Sequence, residues 1–498
     1  MRAATLLSSR RALAKAALAA SRPSSCSPLP SSSASATTAA ATTSRCASGR
    51  AASTSYPLAR PSGMLVPSAR TAFRQQQNQR LATTTAAAAA PAAPAATATT
   101  TPAPRPPRDQ VLTSDPANNV TDYIYEKMGA NLHMRPDHPL GIIKAAIYGY
   151  FDDGGAAQAS ASSGKGAAHT PFTKHDSRHP VVTAAANFDE VLVPSDHVSR
   201  SPNDTYYVSA ETVLRCHTSA HQAEILREGA SSAFLVTGDV YRRDSIDATH
   251  YPVFHQMEGV RVYSAEEWGN ADPTEFCVAE LKATLEGLAR RLFGENIECR
   301  WVEAYFPFTE PSLELEIFFN GKWLEVLGCG VMQQQILEAN YAPASAGMNG
   351  SGASSPSHRA WAFGLGLERL AMVLFDIPDI RLFWSGDERF LRQFKQGDLS
   401  ARFKAYSKYP PCYKDVAFWL SPEFSENNLC ELVRGIGGDL VEEVSRVDEF
   451  THPKTGRTSH CYRISYRSME RSLTDEEINA LQERVRDGVA AELKVELR

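Results

Sequence analysis

Arg242 closes an apolar run, Ala233-Phe234-Leu235-Val236 through Val240-Tyr241, and opens a polar loop. The chain returns through His250-Tyr251-Pro252-Val253-Phe254 into Gln256-Met257-Glu258-Gly259. The pattern predicts strand, long loop, strand, with an arginine at one strand end facing returning Gln and Glu side chains. A guanidinium fork can grip two oxygens of a phosphate or carboxylate at once. An acceptor pair opposite it can hold an ammonium or an adenine amino group. About a hundred residues on, Trp361-Ala362-Phe363-Gly364-Leu365-Gly366-Leu367-Glu368-Arg369 reads as a Gly-rich strand running into a helix that carries a second arginine. Its glycines let backbone approach a ligand closely. No third glycine follows at dinucleotide-fingerprint spacing.

The elements that must position these residues are alternating strands and amphipathic helices. His138-Pro139 through Phe151 has helical apolar spacing, with Pro139 suited to a first turn. Asn187 to Pro194 reads as a strand after it. Further strands are expected at Arg300–Phe306, Leu313–Phe319 and Trp323–Leu327, with Asn320-Gly321 as a hairpin turn. Such a run, flanked by helices, predicts an α+β fold: an antiparallel sheet covered by helices. The last ninety residues read strand, helix, strand, strand, helix, strand, the βαββαβ plan of ferredoxin-like domains, with Thr474 and Glu477 as a capping box.

Charge divides the chain. Residues 1–108 hold 13 of the 51 basic residues and none of the 56 acidic ones. Ala, Ser, Thr and Pro fill most of the rest, a composition that cannot bury a core and has the character of an organellar transit region. The remainder is acidic, which excludes a generic high-pI nucleic-acid binder. The nine cysteines show no CxxC, so neither a zinc site nor a disulfide framework is expected. No apolar run is long enough to span a bilayer. The expected organisation is a disordered 1–108, a connecting segment 109–130, a catalytic domain 131–390, a linker 391–405 and a small domain 406–498. Two Gly/Ala/Ser-rich inserts, 153–168 and 343–357, read as surface loops.

The strand–loop–strand with Arg242 resembles motif 2 of the class II aminoacyl-tRNA synthetases, and its wording that of phenylalanyl-tRNA synthetases. The segment ending in Arg369 resembles motif 3, and the helix-then-strand before Pro194 a divergent motif 1. Lys408-Tyr409-Pro410, Asp415-Val416-Ala417-Phe418 and His452-Pro453-Lys454 resemble the ferredoxin-fold anticodon-binding domain of the same family. The single-chain organellar form is the nearest in pattern.

The resemblance implies adenylate formation from ATP and phenylalanine, then transfer to the 3′ end of tRNA(Phe). ATP would enter with Mg²⁺ and no prosthetic group is implied. Arg242 would bridge the substrate carboxylate and the α-phosphate, and Arg369 would hold the γ-phosphate end. Gln256 and Glu258, with Met257 between them, would receive the amino group. His217, Ser219, Ala220, His221 and Gln222 form the family's amino-acid-side loop. Thr249, His250 and Tyr251 lie on the loop that would cover ATP. Glu325 would contact ATP or its magnesium. Phe306 and Phe308 would meet the substrate ring edge to face, over a floor at Ala362, with Phe363 stacking on adenine or closing the pocket. Tyr462, Arg463 and Arg467 are candidates for the anticodon.

The resemblance also implies a monomer with no membrane association, working in the mitochondrial matrix or a plastid. Every ATP and amino-acid motif precedes residue 390, so removal of 406–498 is expected to spare adenylate formation. A synthetase of other specificity is disfavoured by Phe306-Pro307-Phe308. A catalytically dead tRNA-binding relative is disfavoured by the retained Arg242, Glu258 and Arg369.

Overall fold

The computed structural model describes residues 104–155, 170–341, 357–405 and 409–498. Most of the transit-like tail and of both inserts lies outside them. Helices α1 (Arg108–Val111), α2 (Asp122–Lys127) and α3 (Pro139–Asp152) come first. Strands β1 (Thr173–His175), β2 (Val181–Thr183) and β3 (Thr212–Leu214) follow, then α4 (Gln222–Glu228), β4 (Ala233–Tyr241) and β5 (Val253–Ser264). Next are α5 (Ala265–Trp268), α6 (Pro273–Phe293), β6 (Glu298–Phe306), β7 (Thr309–Phe319) and β8 (Lys322–Met332). Helix α7 (Gln334–Asn340), β9 (His358–Gly366), α8 (Leu367–Phe375) and α9 (Glu388–Leu391) complete the larger part.

The central sheet has the order β1-β4-β5-β9-β8-β7-β6. It is antiparallel except for the β1–β4 pair. Asn320 (φ 51°) and Gly321 (φ 83°) form the hairpin turn between β7 and β8, where both central residues need positive φ. Alternation along the strands gives the sheet two different faces. Leu235, Met257, Phe363 and Leu365 look toward α3, α6 and α8 and join the main core. Phe234, Val236, Val260 and Ala362 look the other way, onto Ile225, Leu226, Ile336 and Leu337 of α4 and α7. The opposite face is therefore only partly covered by helices among the described residues.

Three boundaries differ from expectation. Ordered structure begins before 109: Arg105 Nε donates to the Met128 carbonyl at 2.8 Å, and Val111, Ile124 and Met128 are buried in the main core. The expected strand at 187–194 is a wide helical turn, Ala185–Asp189, beside the two-stranded β2–β3 sheet. Asn187 and Phe188 are buried there by packing, not by strand pairing. The expected linker 391–405 is anchored, because Phe394 is buried against Phe390 and Phe375, and the Phe403 amide donates to the Phe375 carbonyl at 2.7 Å.

The C-terminal part matches the βαββαβ expectation: β10 (Cys412–Trp419), α10 (Glu426–Gly437), β11 (Val441–Thr451), β12 (Thr458–Tyr466), α11 (Asp475–Glu492) and β13 (Glu496–Leu497). Its sheet order is β11-β12-β10-β13. The Thr474–Glu477 capping box starts α11. Even-numbered Val416, Phe418, Tyr462, Ile464 and Tyr466 face the two helices, leaving the other face of the sheet without a helix among the described residues. Among the described residues no helix is long and apolar enough to cross a membrane.

Candidate active site

One row across the central sheet sets the geometry. Register pairs Val236 with Glu258, Glu258 with Gly364, Gly364 with Gly328, and Gly328 with Glu314. Glu258 thus stands beside two bare backbone positions. A Cβ on Gly364 would meet nothing within 4 Å. A Cβ on Gly328 would come within 2.7 Å of the Phe306 ring, and one on Gly330 within 2.4 Å of the Pro311 carbonyl. Gly330 must stay bare because the 309–311 backbone lies across β8 there, and a side chain at 328 would have to push the Phe306 ring aside. Neither glycine stands out in the sequence reading, although Gly328-Cys329-Gly330 within a strand is the usual mark of a close approach.

Ala362 sits on this face, opposite Gly330 in register. Phe306 and Phe308 are near-parallel, centroids 6.0 Å apart at 10°, and form one aromatic wall. Val260, Ala362 and Gly330 form an apolar floor in the adjacent row.

Glu258 is buried, with its carboxylate held by three donors. Ser219 Oγ donates at 2.5 Å and Thr218 Oγ1 at 3.4 Å to Oε2, and Gln222 Nε2 donates to Oε1. Burial pushes its pKa up to about 7 despite those bonds. Around it lie acceptors with nothing to accept from. Gln222 Oε1, Gln256 Oε1 and His217 Nδ1 are buried without a hydrogen-bond partner among the described residues. Each such group costs about 1–3 kcal/mol if it stays unpaired. Three together beside a buried carboxylate could accept from a cationic, donor-bearing group. His217 is neutral, its pKa lowered to about 3 by burial first and by the Arg242 charge second.

Arg242 completes this side. Its Nε donates to the Cys216 carbonyl at 2.8 Å, and its guanidinium lies 5.1 Å from the centroid of Phe254, which shares a face with Gln256 and Glu258. Its two terminal nitrogens have no partner among the described residues. Arg369, in the first turn of α8, pairs with Glu325 at 3.0 Å, both about half exposed. Glu325 lies opposite Glu316, and the Glu314 carboxyl is raised by burial and by those two neighbours. Buried Glu368 accepts from the His255 amide at 2.8 Å and from His255 Nδ1 at 2.7 Å, which ties the strand carrying Gln256 to the helix carrying Arg369.

A supporting network escaped the sequence reading. Buried Arg215 donates to the Asp239 carbonyl and to Asp239 Oδ1, each at 2.6 Å, and lies 2.9 Å from His221 Nε2. His221 Nδ1 is 3.0 Å from Glu224. Gly238 leaves the space that the Arg215 guanidinium fills. This clamp fixes the 217–222 turn against β4. The available signal was a Gly-Asp pair inside an apolar strand and an arginine two residues before His217.

Several expected site residues are elsewhere. Phe363 is buried on the helix-covered face, stacked on Phe151 at 5.9 Å and 6°, so it neither stacks on a ligand nor closes the pocket. Met257 is fully buried on that same face. His221 belongs to the clamp, and Ala220 is buried in its turn. Tyr251 is stacked on Trp384 at 5.4 Å and donates to Asp439 at 2.6 Å, so it joins the two parts of the chain and does not cover a nucleotide. Thr249 and His250 stay on the loop, both bonded to Asp247.

That loop rests on the C-terminal domain. Ile246 packs into its core and accepts from the Val444 amide at 3.0 Å. Arg434 donates to the Asp244 carbonyl at 2.7 Å and Asn427 to that of Arg243 at 3.1 Å. Removing residues 406–498 would therefore strip support from the loop that follows Arg242, contrary to the expectation that adenylate formation would be spared. In the C-terminal domain, Tyr462 is fully buried against Phe418. Arg463 is exposed but closed on Asp415 by two bonds of 2.8 Å, and Arg467 pairs with Glu442 at 2.8 Å.

Residues 169–394 match the family described as the tRNA synthetases class II core domain (F), and residues 407–498 the ferredoxin-fold anticodon binding domain. The chain is 61% identical to the chloroplastic/mitochondrial phenylalanine–tRNA ligase of Arabidopsis thaliana, over 78% of this chain and 85% of that one. It is 47% identical to the mitochondrial phenylalanine–tRNA ligase of Dictyostelium discoideum, over 76% and 89% of the two chains. Against that of Mus musculus the figures are 46%, 77% and 86%.

Proposed function

Because the chain belongs to the organellar, single-chain phenylalanine–tRNA ligases, a class II aminoacyl-tRNA synthetase family, we propose the following division of labour among its residues. The ammonium of phenylalanine sits against Glu258, accepted also by Gln222 Oε1 and Gln256 Oε1. The side chain lies along the Phe306–Phe308 wall over Ala362, Gly330 and Gly328. The carboxylate turns toward Arg242, whose open fork binds it together with the α-phosphate of ATP. Carboxylate oxygen attacks the α-phosphorus in line and pyrophosphate leaves. The protein's part is orientation and charge neutralisation, not covalent catalysis. Arg369 exchanges Glu325 for the γ-phosphate. The oxygen donors Glu325 and Glu314 suit a hard cation, so they would hold magnesium arriving with ATP, which would neutralise phosphate charge. The terminal ribose hydroxyl of tRNA then attacks the acyl carbon, the acyl–phosphate bond breaks, AMP leaves and the hydroxyl proton is released.

One observation carries this reading: a buried carboxyl with its pKa raised to about 7 and orphaned acceptors around it, and, just past the end of the neighbouring strand, an arginine with open terminal nitrogens. Phenylalanine-dependent exchange of pyrophosphate into ATP tests it. Arg369→Ala should mainly raise the KM for ATP, and unchanged kinetics would remove Arg369 from the site. We also propose a monomer, since the segment expected to carry motif 1 forms a helical turn and not a strand. Light scattering showing a stable dimer would overturn that. The acid-free, arginine-bearing 1–108 supports import into the mitochondrial matrix, and a reporter fused to that segment and found outside the organelle would contradict it.

A further inference from the structure

Arg242 is held through a bridge of two residues, Arg215 and Cys216, whose four backbone groups are all in use. On one side the Arg215 amide donates to the Pro180 carbonyl at 2.9 Å, one step beyond the Val181–Leu214 pair of the β2–β3 ladder. On the other side the Arg215 carbonyl accepts from the Tyr241 amide at 3.0 Å, and the Cys216 carbonyl accepts from Arg242 Nε at 2.8 Å. The fourth group, the Cys216 amide, lies past the ladder. A side chain takes the place of a strand there: Asn187 Oδ1 accepts from it at 3.0 Å. A buried backbone N–H needs an acceptor, so the carboxamide must turn its oxygen and not its nitrogen toward Cys216.

Asn187 comes from the wide turn Ala185–Asp189. The Glu190 amide donates to the Ala185 carbonyl at 2.9 Å, five residues back, and the Val193 amide to the Phe188 carbonyl at 2.8 Å. Winding of this width is frequent at functional sites. Here it leaves Asn187 and Phe188 buried. The turn is firmly set. The Ala184 amide donates to the Glu211 carbonyl at 2.8 Å, and the Ala186 amide to Thr183 Oγ1 at 3.0 Å. Phe188 packs with Val213 and Cys216, and Cys216 Sγ lies 3.0 Å from Thr205 Oγ1.

We propose that Asn187 is a positioning residue for Arg242. It fixes the Cys216 backbone, whose carbonyl holds Arg242 Nε, and so sets where the open guanidinium fork stands. This rests on the reading of Arg242 as the group that grips the carboxylate and the α-phosphate. The Arg215 side chain is held independently, by Asp239 and His221. Loss of the Asn187 bond should therefore move the fork and leave the 217–222 turn, with its contacts to Glu258, in place.

The test is steady-state pyrophosphate exchange by the full chain. Asn187→Leu, close in size but with no acceptor, should lower kcat roughly thirtyfold, since a misplacement of about an ångström costs up to about a hundredfold. Its KM for phenylalanine should stay within about threefold of wild type. Asn187→Asp, which keeps an acceptor at the same point, should stay within about fivefold in kcat. On an Arg242→Ala background, Asn187→Leu should cost less than about twofold more, because a residue that acts only through Arg242 has nothing left to act on. A merely structural loss would repeat in full on that background. Wild-type kcat in Asn187→Leu, an Asp variant as slow as the Leu one, or a full repeat of the loss on Arg242→Ala overturns the proposal. Should Asn187→Leu fail to fold, Asn187→Ala takes the same comparisons with the same expected outcomes. If Arg242→Ala itself exchanges at the wild-type rate, the reading of Arg242 fails instead.

Discussion

Arg242 and Arg463 are both strand-end or strand arginines on open sheet faces, yet their surroundings are opposite. Arg463 is closed by two bonds to Asp415, whereas Arg242 uses only Nε on the Cys216 carbonyl. The same contrast separates the two sheets. Around Glu258 three buried acceptors have no partner, while Glu442 in the C-terminal domain is met by both Arg467 and Ser465. A group that the fold has satisfied gains little from a ligand. A group left open by an otherwise well-packed sheet face gains a great deal. The unsatisfied atoms, more than the residue types, distinguish the reaction site from the scaffold.

That contrast can be broken at either end. Arg242→Ala should lower phenylalanine-dependent pyrophosphate exchange about a thousandfold, as for loss of a donor aimed at developing charge. Exchange within threefold of wild type would mean that the open fork has no role. Gly328→Ala should raise the KM for phenylalanine roughly tenfold, because the new methyl displaces the Phe306 ring, and should leave the KM for ATP alone. An equal rise in both would place Gly328 outside the side-chain pocket. Ala362→Gly should admit para-substituted phenylalanines at a cost of a few-fold for phenylalanine itself, since a methyl in an apolar pocket discriminates weakly. Unchanged specificity would remove Ala362 from the floor. At the small end, Arg463→Gln should change tRNA charging by less than twofold, because an exposed pair contributes little. A tenfold loss would show that the Asp415 pairing is exchanged for RNA.

Much of this architecture was legible because its signals are local. The strands of the central sheet alternate with period two, Asn320-Gly321 encodes its own turn, and Thr474 with Glu477 encodes the start of α11. The chemistry-bearing strands fall where the sequence puts them, and Ser219, Gln222, Gln256 and Glu258 come together on one face. What failed depended on which way a strand faces or on what distant segments bring. Phe363 is one residue from Ala362, and a single step in the pleat sends it into the core against Phe151. Tyr251 is adjacent to the loop residues in sequence but is captured by Tyr123, Trp384 and Asp439, none of them near it in the chain. The Arg215–Asp239 clamp joins residues on separate elements, so no spacing rule announces it. Tyr462 alternates with Arg463 along β12, so the pleat sends it into the core while Arg463 stays on the open face.

The most direct measurement of the central claim is the KM for phenylalanine in pyrophosphate exchange between pH 5.5 and 8.5, in the wild type and in Glu258→Gln. Burial raises the Glu258 carboxyl to about 7, so the empty site is largely protonated below that pH, while the substrate ammonium needs the carboxylate. The apparent KM for phenylalanine should be flat above about pH 7 and climb by up to tenfold per unit below it. Glu258→Gln should show a raised KM with that slope gone. The raised carboxyl also has a sign for stability: the contribution is full below the ordinary carboxylate range and is lost as pH rises through about 7. The same substitution should therefore raise thermal stability more at pH 8 than at pH 5. A KM independent of pH in the wild type, or a slope that survives in Glu258→Gln, would contradict the assignment of Glu258 to the amino group.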